Sequence, residues 1–200
     1  MAGIKLTKNE LKKQRDALKR FERYLPTLIL KKQQLQVVIR QVEAEQRREE
    51  QKRKVLYDNL LSWVAVFGEH VDLSRLLVIR SFETDRGNIA GVEIPLFKAL
   101  VFEDVPYDLF AYPLWVDKGI AALKELALVD AEMRVLRMQE ELLGRELTVT
   151  TQRVNLFEKV KIPETRENIR QIRIYLGDEQ TAAVVRGKIA KKNITKVTSL

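Results

Sequence analysis

A seven-residue apolar repeat through the first 63 residues constrains this chain more than any other feature. One line of the repeat runs Ile4, Leu11, Leu18, Leu25, Lys32, Ile39, Gln46, Arg53, Leu60. A second line, three residues on, runs Thr7, Gln14, Phe21, Leu28, Leu35, Val42, Glu49, Leu56, Trp63. Twelve of these eighteen positions are apolar, and the intervening faces are crowded with Lys, Arg, Gln and Glu. Spacings of three and four place the apolar side chains on one stripe of an α-helix, and a stripe sustained this long is a coiled-coil seam. Sixty residues of such helix extend on the order of 90 Å. Thr7-Lys8-Asn9-Glu10 has the spacing of a capping box and marks the start. Pro26 interrupts the arm at a cost of ~3 kcal/mol. The seam keeps its phase across it, so a bend is expected there and not a stop.

The other end of the chain repeats the pattern. Met133, Leu136, Glu140, Leu143, Leu147, Thr150, Val154 and Phe157 alternate at three and four. After Pro163 the series resumes as Ile169, Ile172, Leu176, Glu179, Ala183, shifted by one residue. A slip of phase beside a proline predicts a second kink. Beyond it Arg186, Lys188, Lys191, Lys192 and Lys196 lie in a tail without a seam, which is expected to fray.

Between the arms the composition changes. Residues 1–63 carry 16 basic and 8 acidic side chains, residues 64–118 carry 5 and 9, and residues 119–200 carry 15 and 11. Three of the five prolines (Pro95, Pro106, Pro113) and eight of the fourteen aromatic residues fall in the middle segment. Leu76 to Thr84 is rich in β-formers, Asp85-Arg86-Gly87-Asn88 reads as a turn, and Ile89 to Ile94 returns as a second strand. The prolines are expected to limit the remainder of this segment to short pieces. Each apolar stripe needs a partner, and the simplest is the other arm, reversed by the insert.

The expected fold is therefore mainly α: a long antiparallel two-helix coiled coil formed by the N- and C-terminal arms, with a small hairpin-containing cap between them. Its parts are an N-terminal helix over 1–63, a cap over 64–118, a C-terminal helix over 119–186 and a basic frayed tail over 187–200. The seam residues are Leu11, Leu18, Phe21, Leu28, Leu35, Ile39, Val42, Leu56, Met133, Leu136, Leu143, Leu147, Val154, Phe157, Ile169, Ile172 and Leu176.

Little in the sequence points to chemistry. The chain contains no Cys and a single His, His70, so thiolate and multi-histidine metal sites are excluded. Glu49-Glu50 and Glu140-Glu141 are the nearest thing to an acid–base pair, but they sit among Lys and Arg and read as solvated helix surface. Gly87-x-x-x-Gly91 is not followed by the Gly-Lys-Ser/Thr of a phosphate loop. No catalytic, cofactor-binding or metal-binding residue is expected, nor a nucleotide site. A net charge of +8 attracts nucleic acid, but the basic residues are interleaved with Glu and the aromatics avoid the basic arms, against base-stacking platforms. No apolar run approaches the ~20 residues of a membrane span, and Met1 to Lys13 has no apolar core of a secretory signal. The reading is a cytoplasmic scaffolding or mechanical element.

Three stretches resemble a known family. Thr7 to Leu35, TKNELKKQRDALKRFERYLPTLILKKQQL, is similar to the opening helix of the D subunit of V-type ATPases and ATP synthases. Ile89 to Phe97, IAGVEIPLF, resembles that family's segment after the hairpin. Arg153-Val154-Asn155, with Phe157-Glu158, Ile162-Pro163, Ile169 and Leu176, resembles its Arg-Val-Asn-x-x-Glu-x-x-x-Ile-Pro signature. Pro26 and Gly177 depart from the family pattern. The resemblance implies a rotating central-stalk shaft, non-catalytic and monomeric within its complex. Its paired termini would lie inside the ring of catalytic A and B subunits. A small F-type stalk protein would pack on the coil, and the insert would face a membrane-rotor coupling subunit. The shaft would couple ATP synthesis or hydrolysis to H+ or Na+ transport on the cytoplasmic face of a membrane, without inserting into it. Lys12, Lys13, Arg153, Asn155, Lys191 and Lys192 become candidate rotor contacts, and Gly87, Gly91 and Pro95 candidate shapers of the cap. The rival readings are a coiled-coil adaptor, a nucleic-acid tether, and a stalk protein of a secretion or flagellar ATPase.

Overall fold

The computed structural model describes residues 4–63, 71, 73–108 and 112–197; His70 lies outside them. Helix α1 (Lys8–Leu61) is followed by a single 3-10 turn (Leu73–Arg75), strands β1 (Ile79–Ile89) and β2 (Val92–Phe102), helix α2 (Val116–Asn155), a π-helical segment (Leu156–Lys161) and helix α3 (Ile162–Val197). The fold class is the expected one, mainly helical with one antiparallel hairpin between the long helices. The chain divides into two compact units, one of residues 31–149 and one of residues 1–30 with 150–200.

In the unit of residues 31–149, α1 and α2 run antiparallel. Lys31 bonds Glu146, Gln46 bonds Glu140 and Arg53 bonds Asp130, so partners descend along α2 as they ascend along α1. The core is made by Leu35 and Val42 of α1, Leu143 of α2 and Ile94 of β2, with Ile89, Ala90 and Val92 of the hairpin packed against them. The hairpin thus folds back along the helix pair. Strand and helix are matched in length. An eleven-residue strand reaches about 36 Å at ~3.3 Å per residue, and the stretch of helix from Leu60 to Leu35 covers about 37 Å at ~1.5 Å per residue. At the other end of this unit, Leu76, Val116 and Ile120 form a second core with Val71, Tyr107, Tyr112 and Trp115 around it.

The hairpin turn is not where turn chemistry alone puts it. β1 runs straight through Asp85-Arg86-Gly87-Asn88, and the chain reverses at Ala90-Gly91, between the paired residues Ile89 and Val92. Both turn residues have positive φ, 51° at Ala90 and 78° at Gly91, as a two-residue type I′ turn requires. The Asn88 side chain contributes differently than expected: its Oδ1 accepts the Gly91 N–H at 3.1 Å. The reason is burial. This register sets Ile94, 2% exposed, against Leu35 and Leu143, and that apolar gain outweighs the preference of Gly-Asn for a turn. Nor does Pro95 shorten β2, because a two-stranded ribbon leaves every residue on an edge where a missing N–H is tolerated.

In the other unit, the start of α1 faces the end of α2 and α3. Phe21 and Phe157 pack with ring centroids 5.2 Å apart, and Glu22 bonds Arg166 at 2.8 Å. Thr7 caps α1, its Oγ1 accepting the Glu10 N–H at 3.3 Å. The Glu10 side chain does not return the bond and instead accepts from Gln14, so half of the capping box forms. α1 stays helical across Pro26.

The phase slip near Pro163 has a definite structural form. The buried positions, together with half-buried Phe157 and Leu176, proceed as Thr150, Val154, Phe157, Ile162, Thr165, Ile169, Ile172, Leu176. One step, from Phe157 to Ile162, is five residues long, and it spans the π-helical segment. The Ile162 N–H donates to the Phe157 carbonyl five residues back. A π turn holds one residue more than its α neighbours, so it absorbs the extra residue and returns the stripe to the same face. Pro163, which has no N–H to donate, follows at the second residue of α3, where its lost bond is least costly.

Two features mark the C-terminal end. α3 continues through Gly177 and Gly187 to Val197, so residues 187–197 are helical. Lys188, Ala190, Lys191, Lys192 and Lys196 are good helix formers and extend a helix already nucleated by packing. The seam also ends earlier than its periodicity implies. Leu176 is its last half-buried member, Glu179 and Ala183 do not pack, and residues 177–194 are exposed throughout.

Candidate functional site

With a seam fixing which helix face is inward, function falls to the outward surfaces and to the polar groups that breach the seam. All seventeen predicted seam residues are buried or half-buried, with Leu35, Leu143 and Ile172 at 0% exposure. The positions Lys12, Lys13, Arg153, Asn155, Lys191 and Lys192 are all exposed. Arg153 and Asn155 occupy the last turn of α2, directly before the π segment, and Lys191 and Lys192 lie on the exposed end of α3.

The structure gathers a cationic cleft that the sequence reading missed. In the unit of residues 1–30 and 150–200, Arg15 and Lys19 of α1 face Arg166, Arg170 and Arg173 of α3 across about 780 Å³, with Leu18 and Ile169 at its floor. Glu22 pairs with Arg166. Glu167 takes a two-pronged bond from Arg170 at 2.8 and 2.7 Å, which with a bond from Gln171 holds its carboxyl down at about 2. Arg15, Lys19 and Arg173 have no ion pair among the described residues. The signal was present in the sequence: Arg15 and Lys19 are four apart, and Arg166, Arg170 and Arg173 are spaced four and three, which puts each set on one helix face.

The hairpin is positioned by a side chain that no periodicity announces. Gln139, 6% exposed, donates its Nε2–H to the Pro95 carbonyl at 2.6 Å. Pro95 opposes Arg86 in the ladder, and its carbonyl is satisfied by the helix. Gly87 lies against Leu96, whose Cδ1 would sit 3.0 Å from a Cβ at that position. Gly91 has open space around it and is required by its φ. Gly91 thus sits in the turn, the Pro95 carbonyl takes the bond from α2, and Gly87 leaves room for Leu96.

One reading of surface charge needs correction. Glu49 is not solvated: its side chain is 14% exposed and its Oε2 is buried without a hydrogen bond. It occupies a seam position, where α2 and the hairpin residues Leu96 and Phe97 lie around it. Glu140, by contrast, is bonded by Gln46 at 2.8 Å, and Glu141 is exposed. Among the described residues no cluster of His, Asp or Glu is arranged to hold a metal ion, and no helix is long and apolar enough to cross a membrane.

Antiparallel helix pairs and a hairpin latched to them define a mainly helical protein. Comparison with known proteins gives the family. Residues 10–192 match the family of ATP synthase D subunits. The chain is 49% identical over 196 residues to the V-type ATP synthase D subunit of Borreliella burgdorferi, covering 98% of this chain and 97% of that one. It is 32% identical over 194 residues to the V-type ATP synthase D subunit of Chlamydia pneumoniae, covering 96% and 93%, and 36% identical to that of Chlamydia muridarum, covering 96% of each. The chain belongs to the ATP synthase D-subunit family.

Proposed function

We propose that the chain is the central-stalk subunit of a V-type ATP synthase, a shaft that transmits rotation between a membrane ion-translocating ring and a catalytic A/B hexamer. The observation that carries the reading is near-full-length likeness to V-type D subunits in a chain whose helices are paired by a long seam. A seam suits torque, because each side chain locked between facing helices resists their twisting past one another. In this role no residue of the chain performs chemistry. Coupling of ATP synthesis or hydrolysis to H+ or Na+ transport belongs to the assembly, which sits at the cytoplasmic face of its membrane.

Contacts follow from charge. The cleft of Arg15, Lys19 and Arg173, with Lys12, Lys13, Lys191 and Lys192, suits acidic loops inside the A/B ring. The unit bearing the hairpin then meets the small F-type stalk protein and the membrane-rotor coupling subunit. Affinity purification of the tagged chain from its host should recover A and B subunits in stoichiometric amounts with one copy of this chain. Recovery alone, or with a homohexameric ATPase, would replace this reading by the adaptor or the secretion-type stalk. Reversing Lys12, Lys13, Lys191 and Lys192 together should weaken coupling, read as ATP hydrolysis without ion pumping; full coupling in that variant removes the electrostatic part of the proposal.

A further inference from the structure

Within residues 31–149, a cavity of about 460 Å³ lies between α1, α2 and β2. Glu45 and Glu49 of α1, Glu132 and Gln139 of α2, and Leu96 and Phe97 of the hairpin form its walls. Lys52 holds one Glu49 oxygen, Oε1, at 2.5 Å. The other, Oε2, is buried and receives no hydrogen bond. A buried carboxylate oxygen without a donor is unfavourable, and the acidic group that α2 brings to the same cavity is Glu132. Two ionised carboxylates lining one cavity repel, whereas one that keeps its proton becomes an O–H donor.

We propose that Glu132 is held as a neutral carboxylic acid that donates its O–H to Glu49, so that a shared proton clasps α1 to α2 directly behind the docked hairpin. The proton satisfies the orphan oxygen and removes a charge from the seam in one step. The surroundings act in the same sense. Burial first, then the charge of Glu49, push the Glu132 carboxyl above its ordinary value, and Lys52 opposes them. From α1 the pair is faced by Glu45, Glu49 and Lys52, with Arg48 beside Lys52. From α2 comes Gln139, whose amide is engaged by Pro95. The hairpin contributes Leu96 and Phe97 and no charge to this cavity.

The clasp has a direction in pH. An unfolded glutamate loses its proton near 4.3. Between that value and the raised one, the folded chain keeps a proton that the unfolded chain has released, so stability falls as pH rises through the window. Above both values, two carboxylates and one lysine remain behind Leu96 and Phe97, and the hairpin seat loosens. The device makes hairpin docking tighter in acid than in base.

Carbon-13 NMR of the full chain, following the Glu132 carboxyl, should give a titration midpoint above that of an ordinary glutamate, and Glu49→Gln should bring it back down. Glu132→Gln supplies an amide donor to Glu49 at every pH. It should flatten the fall in Tm as pH rises above the ordinary glutamate value, and raise Tm at pH 8 by about 2 °C or more. A Glu132 midpoint at the ordinary value in the unsubstituted chain overturns the proposal, and so does a Glu132→Gln variant less stable at pH 8. The NMR arm stands whether or not either variant folds.

Discussion

The two units use the same pair of arms and bury them differently. In residues 31–149, the helix pair is covered on one side by the hairpin, and Leu35 and Leu143 reach 0% exposure in a core built from three elements. In the unit of residues 1–30 and 150–200, two helices meet along one stripe and the flanks stay open: Leu30, Ile174 and Tyr175 are each about half exposed or more. Two helices alone cannot enclose a core, because each offers one stripe and leaves most of its circumference to water. A third layer changes the geometry of burial more than extra heptads do.

This contrast is open to direct attack. The largest effect is expected for Leu143→Ala, which opens a cavity among Leu35, Val42 and Ile94. Chemical denaturation should show a loss of about 3–5 kcal/mol. Ile172→Ala, equally buried but in the two-helix unit, should cost less, about 2–3 kcal/mol, since open flanks let neighbours close in. Equal losses would mean that the hairpin adds no rigidity. Gln139→Leu leaves the Pro95 carbonyl without a donor and should cost about 1–3 kcal/mol, with hydrogen-exchange protection lost in the hairpin before the helices. At the turn, Ala90→Gly relieves a positive φ that an alanine adopts at a cost of about 1 kcal/mol, so Tm should rise, whereas Gly91→Ala should lower it. The smallest change is expected for deletion of Val160, an exposed member of the π segment. The deletion turns the five-residue step into four and leaves the stripe in register, so helical circular dichroism and Tm should hold within about 1 kcal/mol. Deletion of exposed Arg145 from α2 has no such reserve and should disrupt pairing on one side of the cut. If the two deletions behave alike, the π segment is not what absorbs the extra residue.

What could be read from the sequence depends on how locally each feature is encoded. The helix seam was legible because its signal repeats every turn, and each repeat is evidence for the others. The slip beyond Phe157 was legible as a loss of phase, but a kink and a π turn leave the same trace in a list of apolar positions. The hairpin existed in the pattern of Leu76 to Ile94, yet its turn was misplaced. Gly87-Asn88 is a local preference, and the burial of Ile94 against Leu35 and Leu143 is a long-range one. Glu49 was misread although it stood in the seam line itself, because charged residues nearby made solvation the natural assumption. Glu132 and Gln139 gave no signal: a lone polar residue beside apolar neighbours on a long helix is ordinary. Only the arrival of β2 over them gives each a role. The cleft of Arg15, Lys19 and Arg173 likewise needs two distant segments to meet before it exists.

The folded-back hairpin carries one more implication. Its tip lands on Leu35 and Leu143 only because each strand is as long as the helix segment beneath it. Lengthening both strands by two residues would carry the tip about 7 Å farther, more than one turn of α1 at ~5.4 Å. There it would lie toward the ion pair of Lys31 and Glu146, where apolar Ile89 and Val92 find charge in place of a socket. The hairpin therefore acts as a measuring stick with one valid length, and its loop admits sequence change far more readily than insertion.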